Sequence, residues 1–344
     1  MHARIPTPPP FLAPHADNIK LPADQYLHPD APTEWWWHTG TLTSGDRVFG
    51  FEINAANLFT TFTQVMLTDV TNNVNYKQTL PQKGGTWAES DPTKDWFVKL
   101  GDPATSPSWI TMNAPHADPT KNMAVKAALV DPATGKKVTF SLTLSQEGPP
   151  FIVWGSGVSP NPPVAGGVKN NNYYYSLTRL HATGTIAIGD EVLPVTGLTW
   201  MDHEYGLFGS SSKPVKWFLQ NMQLNNGVHI SNSVSFPDAP PTLNTPAHSV
   251  ATIQFPDGTT YFETNCILTP IGRTWTSPTG TLFFMEFKIE IPEFDGAFTV
   301  TSLIDDQDFP FPGGIADTYE GVATAKGTFM GHEVHGTAWN EQQP

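Results

Sequence analysis

The run GLTWMDHEYGLFG at residues 197–209 sets three ionisable side chains, Asp202, His203 and Glu204, side by side within a frame of Trp200, Tyr205 and Phe208. A second aromatic run, APTEWWWHTGTL at 31–42, carries Trp35, Trp36 and Trp37 straight into His38. A carboxyl group enclosed by aromatic rings loses solvation of its charged form, so its pKa rises and a protonated acid becomes available at neutral pH. Aromatic faces nearby stabilise a developing carbocation by up to about 2 kcal/mol each when water is excluded. Together these properties suit acid-initiated chemistry on an alkene. Protonation gives a tertiary cation that water captures, and a placed general acid contributes about 10²–10⁴ in rate.

Alternate residues of a strand share a face. The rule groups Trp200, Asp202 and Glu204 against Met201, His203 and Tyr205, and groups Glu34, Trp36 and His38 against Trp35, Trp37 and Thr39. The expectation drawn here is that Trp36 and His38 wall a pocket opposite Asp202 and Trp200, while Trp35 and Trp37 anchor the same strand on its other face. The candidate catalytic residues are Asp202, Glu204 and His38, and the candidate lining residues are Trp36, Trp200, Tyr174, Tyr175 and Trp217. A tyrosine hydroxyl from the run NNNYYYSLTRL (170–180) could hold the attacking water or orient Asp202, and Arg179 could pair with Asp202 or Glu204. Such a pairing would lower the acid's pKa and argue against a neutral Asp202.

Each feature also has a purely structural reading. Tryptophan clusters plug barrel cores, and an Asp-His-Glu run can form a solvated rim or a buried ion-pair girdle. The segment GHEVHG (331–336) spaces its histidines three apart in a hairpin rather than four apart on a helix, which excludes the helical zinc motif, and no metal site is expected. No nucleophile elbow, phosphate-binding loop or dinucleotide fingerprint is present, so hydrolase, kinase and dehydrogenase readings lack their anchors and no cofactor is expected.

The elements that must position these residues are strands. Runs such as RVFGFEINA, KVTFSLTLS and TLFFMEFKIEI alternate with β-branched or aromatic residues, and 33 prolines and 28 glycines break them at short intervals. The expected class is all-β, built from antiparallel meanders closed into barrels or sandwiches. Trp35, Leu42 and Gly45 share their spacing with Trp217, Leu224 and Gly227; Gly184, Gly189, Gly197 and Trp200 recur as Gly327, Gly331, Gly336 and Trp339. This self-similarity predicts two tandem domains at 25–210 and 211–344 after a proline-rich extension at 1–24, joined by GSSSKP at 209–214. In a closed up-and-down barrel the first and last strands pair, which would bring Trp35–Gly40 beside Thr199–Gly206.

Charge and composition narrow the partners. Eighteen Lys and Arg against 32 Asp and Glu give a net charge of -14, which repels nucleic acid and anionic membrane surfaces. Aromatics at 12% against 15% charged residues suit an apolar or aromatic small-molecule ligand. No apolar run reaches the roughly 18 residues of a membrane span. The lone Cys266 is expected in the core, and without a signal-peptide core the expected compartment is the cytoplasm, with secretion after removal of a signal as the alternative.

The segments HPDAPTEWWWHTGTLTSGDRVFGFEI, YYYSLTRLHATGTIAIGDEVLPVTGLTWMDHEYG and YEGVATAKGTFMGHEVHGTAWNE resemble the AttH-like and carotenoid 1,2-hydratase superfamily of two-domain lipocalin-like proteins over nearly the whole chain. The matched motifs are Trp35 and Trp36 before a Gly-x-Leu, Tyr174 to Leu180, and Trp200 to Glu204. The resemblance implies two tandem lipocalin-like β-barrel or sandwich domains, a ligand cavity near their meeting, Asp202 as the acid, and Trp36, Trp200, Tyr174 and Tyr175 as pocket walls. Members hydrate carotenoid and prenylated phenolic substrates, or direct intramolecular Diels-Alder cyclisations. Three activities therefore stand open: hydration of a prenyl double bond, a pericyclic ring closure in which mass is conserved, and carriage of apolar metabolites without catalysis.

Overall fold

A computed structural model describes residues 16–344, apart from 59, 83–84, 86, 210–214, 237–238 and 311–316. Most of the 209–214 segment and of the proline-rich extension lies outside the described residues. Among the described residues the chain forms strands and four short 3-10 turns, with no α-helix. Its strands fall into two antiparallel sheets, one spanning Thr33–Gly206 and the other Lys216–Gln343.

In the first sheet the opening strand Thr33–Ser44 pairs with the closing strand Glu191–Gly206, as the barrel argument requires. Trp35 lies opposite Glu204, and Gly40 opposite Thr199. Closure is incomplete, however. The sheet ends in two edges, Val74–Pro81 and Trp96–Leu100, that are not hydrogen-bonded to each other, so it is a curled sheet rather than a ring. Its concave face is filled by Trp36, Leu42, Phe49, Phe51, Ile53, Trp96 and Tyr175 among others. The second sheet does close, because Gly296–Ser302 pairs with Asp317–Phe329. Met222, Ile230, Ile253, Ile289, Phe298 and Val300 fill that barrel.

The two sheets repeat each other in register. Leu42 opposite Gly197 corresponds to Leu224 opposite Gly336, and Trp37 opposite Asp202 corresponds to Leu219 opposite Glu341. The shared glycines have a steric reason. A Cβ on Gly197 would sit 2.1 Å from Thr41 O, and one on Gly336 would sit 2.1 Å from Gln223 O, so only glycine lets the first and last strands cross that closely.

The convex face of the first sheet packs on the second sheet. The closest approach is at Gly50, whose backbone receives the Val322 side chain: a Cβ there would fall 2.5 Å from Val322 Cβ. Met66, Phe309, Val322 and Trp339 form an apolar plug beside that contact. Polar ties surround it: the Gln223 amide donates to Thr178 O (2.7 Å) and Thr199 O (3.1 Å), and Lys77 reaches Asp308 (2.6 Å). Arg179 donates to Gly227 O (2.7 Å) and Phe255 O (3.2 Å) across the same junction, so it fastens the two sheets and does not pair with Asp202 or Glu204.

Candidate active site

Directly opposed residues of an antiparallel pair point to the same face. Trp37 is opposite Asp202, Trp35 opposite Glu204, and Thr39 opposite Trp200, so these six share the convex face. Trp36 is opposite His203 and His38 opposite Met201, and they share the concave face. The expectation for the tryptophan strand is thereby reversed. Trp35 and Trp37 wall the pocket, whereas Trp36 and His38 lie inside the first sheet's core. The whole stretch from Thr33 to Gly40 is buried on both faces, so alternation of polarity could not tell one face from the other.

The pocket lies between the sheets, with a cavity volume of about 110 Å³. Trp35, Trp37, Trp154, Tyr174, Phe208 and Trp217 form its aromatic walls, and Ser231, Ser233 and Ser235 border it from one strand of the second barrel. Three carboxyl groups, Asp202, Glu204 and Glu341, reach it from the two closing strands. Trp154 occupies a left-handed backbone conformation, φ 56°, which is strained for so bulky a residue and is held by its N–H donating to Thr252 Oγ1 (2.9 Å).

Each carboxyl is perturbed by its surroundings. Burial drives Asp202 up from 3.8 to about 6, against donors that favour its charged form: Ser176, Trp200, Tyr174 and Asn221. Ser176 Oγ lies 2.5 Å and Trp200 Nε1 2.7 Å from Asp202 Oδ1. Burial likewise pushes Glu341 up to about 8, opposed by the Trp217 indole N–H, which donates to its Oε1, and reinforced by the negative charge of Asp202. Glu204 is held well above the usual carboxylate range by burial and by Asp202 and Glu341, with Asn172 as its hydrogen-bond donor. No salt bridge reaches any of the three among the described residues.

The remaining sequence candidates divide accordingly. Tyr174, Trp217, Asp202 and Glu204 line the cavity, and Trp200 stands behind Asp202 as a donor. Tyr175 is enclosed in the concave core, where its hydroxyl donates to Gln25 and lies 3.1 Å from His203 Nδ1, so it is no pocket wall. His38 is fully buried, neither ring nitrogen has a partner, and burial lowers its pKa to about 3. That makes it a neutral core residue out of reach of Asp202. His203 belongs to a network on the same concave side: its Nε2 is 3.0 Å from Glu34 Oε1, which is 2.9 Å from His28 Nδ1. These three residues are the only group among those described whose geometry could hold a metal ion, and their hydrogen bonds to one another already satisfy them.

Glu341 is the site residue that sequence reasoning missed. The repeat contained the signal, because aligning Trp339 with Trp200 sets Glu341 at the position of Asp202. Trp154 and Phe208 carry no such signal, since their place depends on how loops fold over the junction.

No curated protein matches the chain. Among solved structures, a Nitrosomonas europaea protein provisionally described as an AttH superimposes with a TM-score of 0.75 at 22% identity, covering 96% of this chain and 99% of that one. Kievitone hydratase from Nectria haematococca superimposes with a TM-score of 0.70 at 17% identity, covering 94% and 92%. Both likenesses are of fold. A sequence-family model described as AttH-like matches residues 13–341, nearly the entire chain, and so the chain belongs to the AttH-like family.

Proposed function

We propose that the protein is an enzyme that adds water to a prenyl or terpenoid double bond by acid protonation and cation capture. The observation that carries this reading is the convergence of Asp202, Glu204 and Glu341 in one aromatic cavity, with no salt bridge to any of them among the described residues. Environments that push neighbouring carboxyls to different pKa values assign acid and base. Glu341, at about 8, keeps its proton near neutrality, whereas Asp202, at about 6 and surrounded by donors to its carboxylate, gives its proton up. Glu341 is therefore the proton donor in this reading, a change from the sequence expectation that made Asp202 the acid.

The Glu341 proton adds to the less substituted alkene carbon, and the π electrons form the new C–H bond. The tertiary cation left behind rests against the faces of Trp35, Trp37 and Trp217. Asp202 accepts a proton from water as the water oxygen bonds to the cation, so the product gains one water. Return of that proton from Asp202 to Glu341 resets the site. The required forms, Asp202 ionised and Glu341 protonated, coexist between pH values of about 6 and about 8, so turnover is expected to follow a bell between those limits. That the fold also serves a protein named a hydratase agrees with this reading.

The test is mass spectrometry of the purified protein with prenylated phenols, acyclic terpenoids and polyene precursors in ordinary and oxygen-18 water. One labelled oxygen in the product, lost in Glu341→Gln and in Asp202→Asn, is the expected result. An isomeric, unlabelled product would replace hydration with cyclisation, and bound but unchanged ligand would replace it with carriage.

A further inference from the structure

The hydration mechanism leaves one carboxyl of the pocket without a task. Glu204 lines the cavity, keeps 6% of its surface exposed and accepts the Asn172 side-chain N–H at Oε1, while its Oε2 makes no hydrogen bond to a described residue. Trp35 and Tyr174 flank it on the neighbouring strands, and Asp202 lies two residues back on the same face between Trp37 and Ser176. Two strand residues span about 7 Å, so a second carboxyl stands at about that distance from the one that activates water.

Glu204 belongs to the open end of the pocket. The Phe208 ring packs edge-on against both Trp35 (centroids 5.2 Å apart) and Trp217 (5.7 Å), which brings the Trp35–Glu204–Tyr174 row of the first sheet level with the Trp217–Ser235 row of the second. Ser235 is exposed and Trp217 half-buried, whereas Ser231, deeper along the same strand as Ser235, is only 5% exposed. Ser231, Ser233 and Ser235 alternate along His229–Phe236 and border the cavity, and none of their hydroxyls makes a hydrogen bond to a described residue. The outer half of the cavity therefore offers unused polar groups on both walls, between aromatic faces. A bound hydrocarbon would strip water from these groups and pair with none of them, which costs affinity.

The surroundings of Glu204 decide which hydrogen bond it offers. The charged groups acting on it are Asp202 and Glu341, both negative, and a buried carboxylate without a counter-charge is costlier than the acid. Burial and these two neighbours hold it well above the usual carboxylate range. With the Asn172 N–H on Oε1, that oxygen is the carbonyl of the acid and the proton sits on Oε2.

We propose that Glu204 anchors the substrate: its Oε2–H donates to an acceptor oxygen, a carbonyl or an ether, carried about 7 Å from the double bond, and Ser233 and Ser235 meet further oxygens on the opposite wall. The substrate is then an oxygenated prenyl or terpenoid compound and not a hydrocarbon. Placing the double bond at the Asp202 end rests on the hydration reading, whereas the anchor itself does not. No covalent bond changes at Glu204; it determines specificity and leaves protonation and capture to Glu341 and Asp202.

Tryptophan fluorescence titrations of the full chain test the anchor without turnover. The probes are geranylacetone, whose carbonyl stands two methylene groups from a trisubstituted double bond, and the hydrocarbon of the same skeleton. Glu204→Met, which keeps the side chain's length without a donor, is expected to weaken ketone binding about three- to tenfold and to leave hydrocarbon binding unchanged. Glu204→Gln keeps the Asn172 contact through its C=O and presents N–H in place of O–H, so it is expected to hold the ketone within about twofold. Equal weakening of both ligands by Glu204→Met would overturn the proposal, as would loss of the ketone in Glu204→Gln, which would mark an ionised carboxylate as the binding group. Should Glu204→Met fail to fold, the infrared carbonyl stretch of the ketone bound to the wild type reads the same contact. It is expected below its position in an alkane solvent; an unshifted band, or a wild type that does not take up the ketone, would overturn the anchor. Oxygen-18 water separates the two readings. A ketone-specific loss in a protein that incorporates no oxygen-18 would leave the anchor standing and remove the hydration reading, whereas oxygen-18 incorporation with equal kcat/KM for the ketone in wild type and Glu204→Met would remove the anchor alone.

Discussion

Replacing Glu341 by Gln should flatten part of the protein's pH–stability curve, an effect measurable without any substrate. Burial holds the Glu341 carboxyl at about 8 against an ordinary 4.5. At 1.36 kcal/mol per pKa unit, ionising it in place costs on the order of 5 kcal/mol. Between those two pH values the folded chain keeps a proton that the unfolded chain has released, so stability falls as pH rises through that window, by about 1.4 kcal/mol per pH unit. Above about 8 both states are ionised and the loss is complete. The Gln variant has nothing to titrate at this position. Urea unfolding of both proteins at pH 5.5, 6.5 and 7.5 gives the difference between them, from which titrations common to both cancel. The expected difference moves against the wild type as pH rises, on the order of 1 kcal/mol or more per step. Parallel curves would mean that Glu341 is already ionised in the folded protein, and the assignment of Glu341 as the proton donor would fail with it.

Three further outcomes follow from named contacts. His38→Leu removes two buried ring nitrogens that have no partners, so it should raise stability by about 1–3 kcal/mol in thermal unfolding and leave turnover intact; loss of activity in a folded variant would restore His38 to the site. Burial opposes the charge of His28, but hydrogen bonds to Asp24 and Glu34 outweigh it and push the ring up to about 9. Its ordinary value is 6.5, so the stability it contributes is full below pH 6.5 and lost as pH rises through about 9, and His28→Gln should abolish that alkaline loss in denaturant titrations. Gly336→Ala sets a methyl group 2.1 Å from Gln223 O and should cost about 1–3 kcal/mol, with a smaller cost disproving that the first and last strands of the second barrel cross rigidly there.

The strand content was legible because period-two alternation and turn residues are local properties, and the pairing of Thr33–Ser44 with Glu191–Gly206 followed from the topology of a closing meander. The aromatic walls were identified by type but assigned to the wrong side. A strand covered on one face by a barrel core and on the other by a second sheet reads as apolar throughout, so Trp36 could not be distinguished from Trp37 before the partner residue of each was known. Glu341 was within reach of the sequence, since it stands to Trp339 as Asp202 stands to Trp200. Carrying that repeat one step further would have supplied the second half of the site.

Residue types and their order thus establish an all-β chain of the AttH-like family, a repeated unit, and an acid within aromatic surroundings. Which acids meet, and in which protonation states, is a property of the junction between the sheets. Burial brings Asp202 to about 6, and burial with the charge of Asp202 brings Glu341 to about 8, across strands far apart in the chain, and no local pattern of residues encodes those distances.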